Sequence, residues 1–297
     1  MNKNILLLFL STVTIWGTVW YAIKFQLGTN PVSVSVFYRI ALAAFILWMY
    51  HRLFLGKFPT LSLKTHGKIA LLGAFSFSLN YFFFYFATKY ISSGLVSIIF
   101  SSLIFFNALN NRLFFAKPLQ SRVFLGSTIA IIGTGLLFYR PDTISQDESQ
   151  LLIGAGWALL ATYIVSLGNI TSAHLSNNGV NVVTSTTLGL MYGAVVSLLA
   201  LLLQGHSLSI SLNVEYVLSL IYLSIFCTAL AFILYFNLIK SSGVTQAAVA
   251  SLLFPLIAIF ISWVTGEYQF TLYSFIGVAC VFCGSLINLS IGHHYER

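Results

Sequence analysis

Phe124-Leu125-Gly126-Ser127-Thr128-Ile129-Ala130-Ile131-Ile132-Gly133 comes back, half a chain later, as Phe275-Ile276-Gly277-Val278-Ala279-Cys280-Val281-Phe282-Cys283-Gly284. Each copy opens on aromatic, aliphatic, glycine and closes on a second glycine. A further pair lies upstream: Tyr85-Phe86 leads to Ser92-Ser93-Gly94, and Tyr235-Phe236 leads to Ser241-Ser242-Gly243. The matched pairs sit about 150 residues apart in a chain of 297. A sequence that repeats at half its length is built from a duplicated structural unit.

The unit is a membrane one. Hydrophobic residues make up 58% of the chain and charged residues only 7%, with a mean hydropathy of +0.93. Soluble domains carry about 25% charged residues, so most of this surface must face lipid. The net charge of +8 could suggest nucleic acid. However, the basic residues lie in short loops between apolar runs, where they act as topology signals. Three cysteines, Cys227, Cys280 and Cys283, lie inside apolar segments. Cys280-x-x-Cys283 has no second ligand pair nearby and reads as two small residues on one helix face. The apolar run from Met1 to Ile23 lacks a small-x-small cleavage pattern and reads as a retained first helix.

About 20 apolar residues are needed to cross the hydrocarbon core. Ten runs meet this approximately: Asn4–Ile23, Val32–Tyr50, Lys68–Phe86, Ser92–Asn110, Val123–Tyr139, Leu152–Ala173, Val180–Leu203, Val214–Phe236, Val244–Val264 and Leu272–Ile291. They are numbered helix one to helix ten. The longest polar stretch, Pro141 to Gln150, separates helices five and six. The expected organisation is a first five-helix repeat over 1–140, a connecting loop over 141–150, a second repeat over 151–292 and a tail over 293–297. With the N-terminus in the cytoplasm, the inner side holds Lys3, Arg52, Lys57, Lys64, Lys68, Arg112, Lys117, Arg122, Lys240 and Arg297. The outer side holds Lys24, Lys89 and Arg140. Positive charge favours the cytoplasmic face, so both termini are expected inside. Two halves of five helices each must then be inverted. The expected fold is all-α and integral to the membrane, with ten transmembrane helices as two inverted five-helix repeats.

These features resemble the drug/metabolite transporter superfamily, in particular the ten-helix EamA-type permeases. The resemblance covers nearly the whole chain. It rests on Trp16-Gly17, the Tyr38–Ala44 run, Lys89-Tyr90-Ile91-Ser92-Ser93-Gly94, Pro255 with Gly266-Glu267, and the paired Gly126/Gly133 and Gly277/Gly284. It implies a cavity among helices one to four and six to nine. Helices five and ten would lie at the periphery, their glycines serving helix packing or dimer contacts. The halves differ where such permeases often match. Helix four carries Phe105 and Ala116-Lys117, while helix nine carries Pro255 and Gly266-Glu267. A proline frees a backbone carbonyl and permits a kink, so helix nine is the expected kinked or gating helix and helix four is not.

Arg39 is the one charge well inside a span, about 10 Å from the start of helix two at 1.5 Å per residue. A charge there is functional or paired. No Asp or Glu lies deep within a span, Glu215 standing in the first turn of helix eight, so a substrate carboxylate is one candidate partner and helix-end carbonyls are the other. In helix one, Thr12, Trp16 and Trp20 recur every four residues and share a face. Thr12 and Trp16 could line a cavity or pack a helix pair, and Trp20 reads as an interfacial anchor. Helix three offers Asn80, Tyr81 and Tyr85; helix four Ser97, Ser101 and Asn107; helix six Thr162, Tyr163, Ser166 and Asn169; helix seven Thr184, Thr186, Thr187 and Tyr192; helix eight Tyr235; helix nine Thr245, Gln246 and Ser251. From these the expected substrate-binding set is Thr12, Trp16, Arg39, Asn80, Tyr81, Tyr85, Ser97, Ser101, Tyr163, Tyr235 and Gln246. Most of that chemistry falls in the first half.

Absences bound the function. All six histidines lie in loops or at span ends, so no intramembrane proton relay of the usual Asp, Glu or His kind is expected. No carboxylate pair, His cluster or P-loop is present, which excludes a membrane enzyme or an ATP-driven pump and implies no cofactor and no metal. The expected protein is a secondary transporter in a bacterial inner membrane, an exporter of amino acids or related small metabolites. Its partners are a small-molecule substrate and membrane lipid, not nucleic acid, and it acts as a monomer or homodimer. A lipid scramblase or membrane scaffold is the alternative.

Overall fold

Within a bilayer each backbone polar group must find its partner inside the protein, and a helix does this within one segment. The computed structural model describes residues 3–26, 30–91, 93–139, 148–266 and 269–289. Among these it contains helices and no strand. Eight helices are long and apolar enough to cross a membrane, and two shorter apolar ones, Ser121–Leu137 and Leu272–Asn288, complete ten. Most of the connecting loop at 141–150 and the tail at 293–297 lie outside the described residues, as do the side chains of Trp20 and Ser97.

Helix one spans Lys3–Lys24 and helix two Val32–Tyr50, which runs on through a π-turn at His51–Leu55. Helix three begins at Leu63, five residues before the sequence suggests, because the Ser62 hydroxyl accepts the Thr65 N–H and caps it. Helix five is Ser121–Phe138, helix six Glu148–Asn177, helix seven Val182–Leu203 and helix ten Leu272–Leu289. Asn181 caps helix seven by accepting from the Val183 and Thr184 amides, and Asn213 caps helix eight by accepting from Glu215.

Helices three and eight share an irregularity. Helix three is α over Leu63–Ala74, π over Phe75–Leu79 and α over Asn80–Thr88. Helix eight is α over Val214–Ser224, π over Ile225–Leu230 and α over Ala231–Ser242. The π segments begin 150 residues apart, at Phe75 and Ile225. Helices four and nine are both interrupted. Helix four breaks at Ser101-Ser102 between Ser93–Phe100 and Leu103–Phe115. Helix nine breaks at Ala248-Val249 between Val244–Ala247 and Ala250–Val264. Both helices are thus interrupted, and no proline lies in helix four. Helix nine passes through Pro255 as a continuous helix, its interruption lying more than a turn earlier.

The halves meet as an inverted pair. Helices five and ten pack antiparallel, since Gly126 faces Gly284 and Gly133 faces Gly277. Counted along the repeat, Gly126 corresponds to Gly277 and Gly133 to Gly284, so each contact is the other's image across a two-fold axis. A Cβ added to Gly133 would lie 2.7 Å from the Gly277 carbonyl oxygen, and one added to Gly277 would lie 2.7 Å from that of Gly133. The glycines of helices five and ten thus let two backbones touch within one chain. Helices two and seven also pair across the axis, with the His51 ring bonded to the Thr184 hydroxyl.

Candidate functional site

Two polar clusters occupy the interior, and Trp16 joins them. The first lies between helices two, three and eight. Arg39 is 5% exposed. Its Nε donates to the Thr228 hydroxyl at 2.9 Å, and its guanidinium carbon stands 5.1 Å from the centre of the Tyr81 ring. That is cation–π range. Tyr85 lies within electrostatic reach of Arg39, Tyr81 and Tyr216. Tyr216 is fully buried, and its hydroxyl is 2.9 Å from that of Ser35, one turn before Arg39. Among the described residues Arg39 makes no other hydrogen bond and no ion pair. The guanidinium therefore presents its terminal N–H groups to this aromatic pocket without a carboxylate.

The π-turn of helix eight builds this cluster. A π-turn widens the helix by one residue and loosens the regular carbonyl ladder. Thr228, inside the turn, takes the Arg39 bond, and the neighbouring Cys227 carbonyl accepts the Trp16 indole N–H at 3.1 Å. The image location in helix three holds Ser78, which accepts from Ser197 of helix seven at 3.0 Å. The images differ in what separates the helices. Counted from the helix starts at Val32 and Val182, the place of Arg39 falls to Gly189. There Gly73 of helix three approaches the Gly189 backbone too closely for any Cβ. One side of the two-fold is thus closed backbone on backbone, and the other is held apart by an arginine and its ring partners.

The second cluster lies between helices four, six, eight and nine. Asn169 donates to the Asn107 carbonyl oxygen at 3.4 Å and to the Tyr235 hydroxyl at 3.2 Å. Asn107 donates to the Val244 carbonyl at 3.2 Å, and Asn110 donates to Ser166 at 2.8 Å. Trp16 closes the gap to the first cluster. Its ring centre lies 4.8 Å from that of Tyr235, 5.1 Å from Phe232 and 5.4 Å from Phe254.

The sequence-derived candidates divide accordingly. Arg39, Tyr81 and Tyr85 come together, and Trp16 and Tyr235 link them to the asparagines. Asn80 is buried, and its side-chain carbonyl oxygen has no partner among the described residues. Thr12 is fully buried with its hydroxyl donating to Leu8 of its own helix at 2.7 Å, so it packs helix one. Tyr163 stands edge-on to Phe106 at 5.5 Å, outside both clusters. Ser101 is buried at the break of helix four, and Gln246 lies half-buried in the short first piece of helix nine. Thr228, Tyr216, Asn107, Asn110 and Asn169 belong to the clusters but not to the sequence-derived set. Asn107 and Asn169 carry a readable signal, because a buried amide in an apolar span requires a partner.

Two substitutions test these links. Trp16→Phe keeps the ring and removes the donor, so the Cys227 carbonyl loses the indole bond. It is expected to cost about 1–3 kcal/mol, read as a lower thermal midpoint in detergent. Tyr235→Phe removes one acceptor from Asn169. It is expected to cost about 1 kcal/mol, and the cost should vanish when Asn169 is already replaced by leucine, which a double-mutant cycle measures directly.

Two inverted five-helix units enclosing a polar, aromatic centre are an architecture that many transporters share. The chain belongs to the EamA-like transporter family, which matches it twice, over residues 3–139 and 152–290. It is 24% identical over 292 residues to the protein PagO of Salmonella typhimurium, covering 96% of this chain and 93% of that one. It is 21% identical over 286 residues to the uncharacterized transporter YoaV of Bacillus subtilis, covering 96% of each. An uncharacterized transporter of Archaeoglobus fulgidus is 28% identical over 275 residues, covering 90% of this chain and 91% of that one. A solved crystal structure matches over 100% of both chains with a TM-score of 0.80 at 16% identity, which shows the shared fold.

Proposed function

We propose that this protein is a secondary transporter that exports a small metabolite bearing a carboxylate, an amino acid or a close relative, across the bacterial inner membrane by alternating access. The observation that carries the proposal is Arg39: buried, held through Nε by Thr228, laid over Tyr81, and paired with no carboxylate among the described residues. A guanidinium matches a carboxylate in a planar, two-pronged way that an ammonium cannot. Tyr81, Tyr85 and Trp16 supply flat walls for the rest of the solute. An ammonium group on the same solute would meet neutral acceptors such as the Asn80 carbonyl oxygen. The inverted halves give the site a route to each side of the membrane. The ten-to-three distribution of basic residues supports termini in the cytoplasm.

The test is counterflow in proteoliposomes. Vesicles preloaded with a mixture of unlabelled amino acids are diluted into trace labelled single amino acids. Saturable accumulation of one or a few of them is the expected result, with the matching methyl ester or amide failing to compete. Equal competition by acid and amide removes the carboxylate reading. Movement of labelled lipid alone identifies a scramblase instead.

A further inference from the structure

A groove on the flank of the molecule is separate from the central clusters. Its volume is about 400 Å³, within the range of small-ligand sites. Helix one and the turn that follows it contribute Thr18, Tyr21 and Phe25, and helix eight contributes Glu215, Ser219 and Tyr222. Both sets follow the same rhythm, three, four or seven residues apart, so each helix turns one face to the groove. Seven residues of helix eight carry the groove about 10 Å from the helix start into the apolar zone. At its deep end the Thr18 and Tyr222 hydroxyls are 2.6 Å apart.

The polar groups of the groove are few and of one kind. Glu215 is exposed at the rim, and no cation among the described residues pairs with it. One turn deeper Ser219 is 6% exposed, and its hydroxyl has no partner among the described residues. Tyr21, Phe25 and Tyr222 are aromatic, and ring faces attract cations. A carboxylate at the surface end, an unused hydroxyl one turn below and aromatic walls fit a cation with an apolar tail. Such a ligand would leave its head at the interface and bury its body between the helices. Anions are disfavoured by Glu215, and a bare hydrocarbon would leave both Glu215 and Ser219 unused.

We infer that the groove between helices one and eight is a binding site for a free aliphatic primary amine, its ammonium on Glu215 and Ser219 and its chain along Tyr21, Phe25 and Tyr222. The site is distinct from the carboxylate-binding centre and does not depend on it. It gives the protein a second class of ligand, one that approaches from the bilayer.

The experiment is photolabelling of the full chain in phosphatidylcholine nanodiscs. Dodecylamine carrying a diazirine near its tail end is compared with the alcohol of identical chain, and the labelled peptides are mapped by mass spectrometry. The amine is expected to label the segments around 18–25 and 215–222 about fivefold more than the alcohol, the size of a partly exposed ion pair. Glu215→Gln should bring the amine down to the level of the alcohol, and Ser219→Ala should lower it about twofold. The thermal midpoint of each variant, measured alongside, confirms an intact fold. Equal labelling by amine and alcohol in the wild type overturns the inference and leaves a groove for lipid chains. So does labelling unchanged in Glu215→Gln. Loss of the amine signal when phosphatidylethanolamine replaces phosphatidylcholine assigns the site to a lipid and overturns the free-amine occupant.

Discussion

Arg39→Gln is expected to reduce transport of the carboxylate substrate by about a hundredfold. Truncating one partner of a buried, hydrogen-bonded charge pair costs about 2–5 kcal/mol, because the other charge is left without a match, and each 1.4 kcal/mol is tenfold. Glutamine can keep a hydrogen bond to Thr228, so the contact seen at 2.9 Å between Arg39 and Thr228 has a substitute. What it cannot supply is positive charge over the Tyr81 ring. The decisive measurement is competition, not rate alone. In the wild type the acid should compete far better than its amide, and in Arg39→Gln the two should compete equally. A purely structural arginine would lower transport of both alike and shift the thermal midpoint by the same cause. Arg39→Lys adds a second comparison, since it retains charge and loses the fork.

Gly133→Leu is expected to destabilise the protein by about 3 kcal/mol or more, the upper range for overpacking a tight interface. Any Cβ at this position would meet the Gly277 carbonyl oxygen and the Cys280 Cβ at 2.7 Å, and both atoms belong to a neighbouring helix that cannot yield locally. The helices must move apart, which opens the seam along its length. Gly135 is the natural control. It lies two residues further on the same helix, and nothing stands within 4 Å of where its Cβ would be. Gly135→Leu should leave the midpoint in detergent nearly unchanged, while Gly133→Leu lowers it strongly or prevents recovery of folded protein. Equal effects at the two positions would refute the seam as the reason for the paired glycines.

What the chain reveals of itself follows from the range of each interaction. The ten spans are readable because length and apolarity alone define a crossing helix. The glycine pairs are readable because the repeat displays them twice. Arg39 is readable because a charge in a span stands out against its neighbours. Its holders are less so: Thr228 lies 189 positions away, and a threonine in an apolar helix looks like any packing hydroxyl. Tyr216, fully buried against Ser35, resembles an interfacial tyrosine at a helix start until the fold turns it inward. The asparagine network joins Asn107, Asn169 and Tyr235 across three helices, and no local pattern specifies which amide meets which hydroxyl. These partners also redistribute the site. Its chemistry draws on helices six and eight as much as on helices two and three, where the sequence alone suggests a concentration in the first half. The interruptions of helices four and nine went unsignalled for a related reason. Pro255 is a local breaker, but the breaks fall at Ser101-Ser102 and Ala248-Val249, where neither proline nor glycine stands.

The π-turns at Phe75–Leu79 and Ile225–Leu230 also carry a record of descent. Each is in effect one extra residue accommodated in a helix, and the two begin at matching places in the two copies. An extra residue acquired after the copies parted would mark only one of them. A single insertion before the doubling of the gene accounts for both bulges. The two copies now differ at the place that faces the bulge, arginine at 39 and glycine at 189.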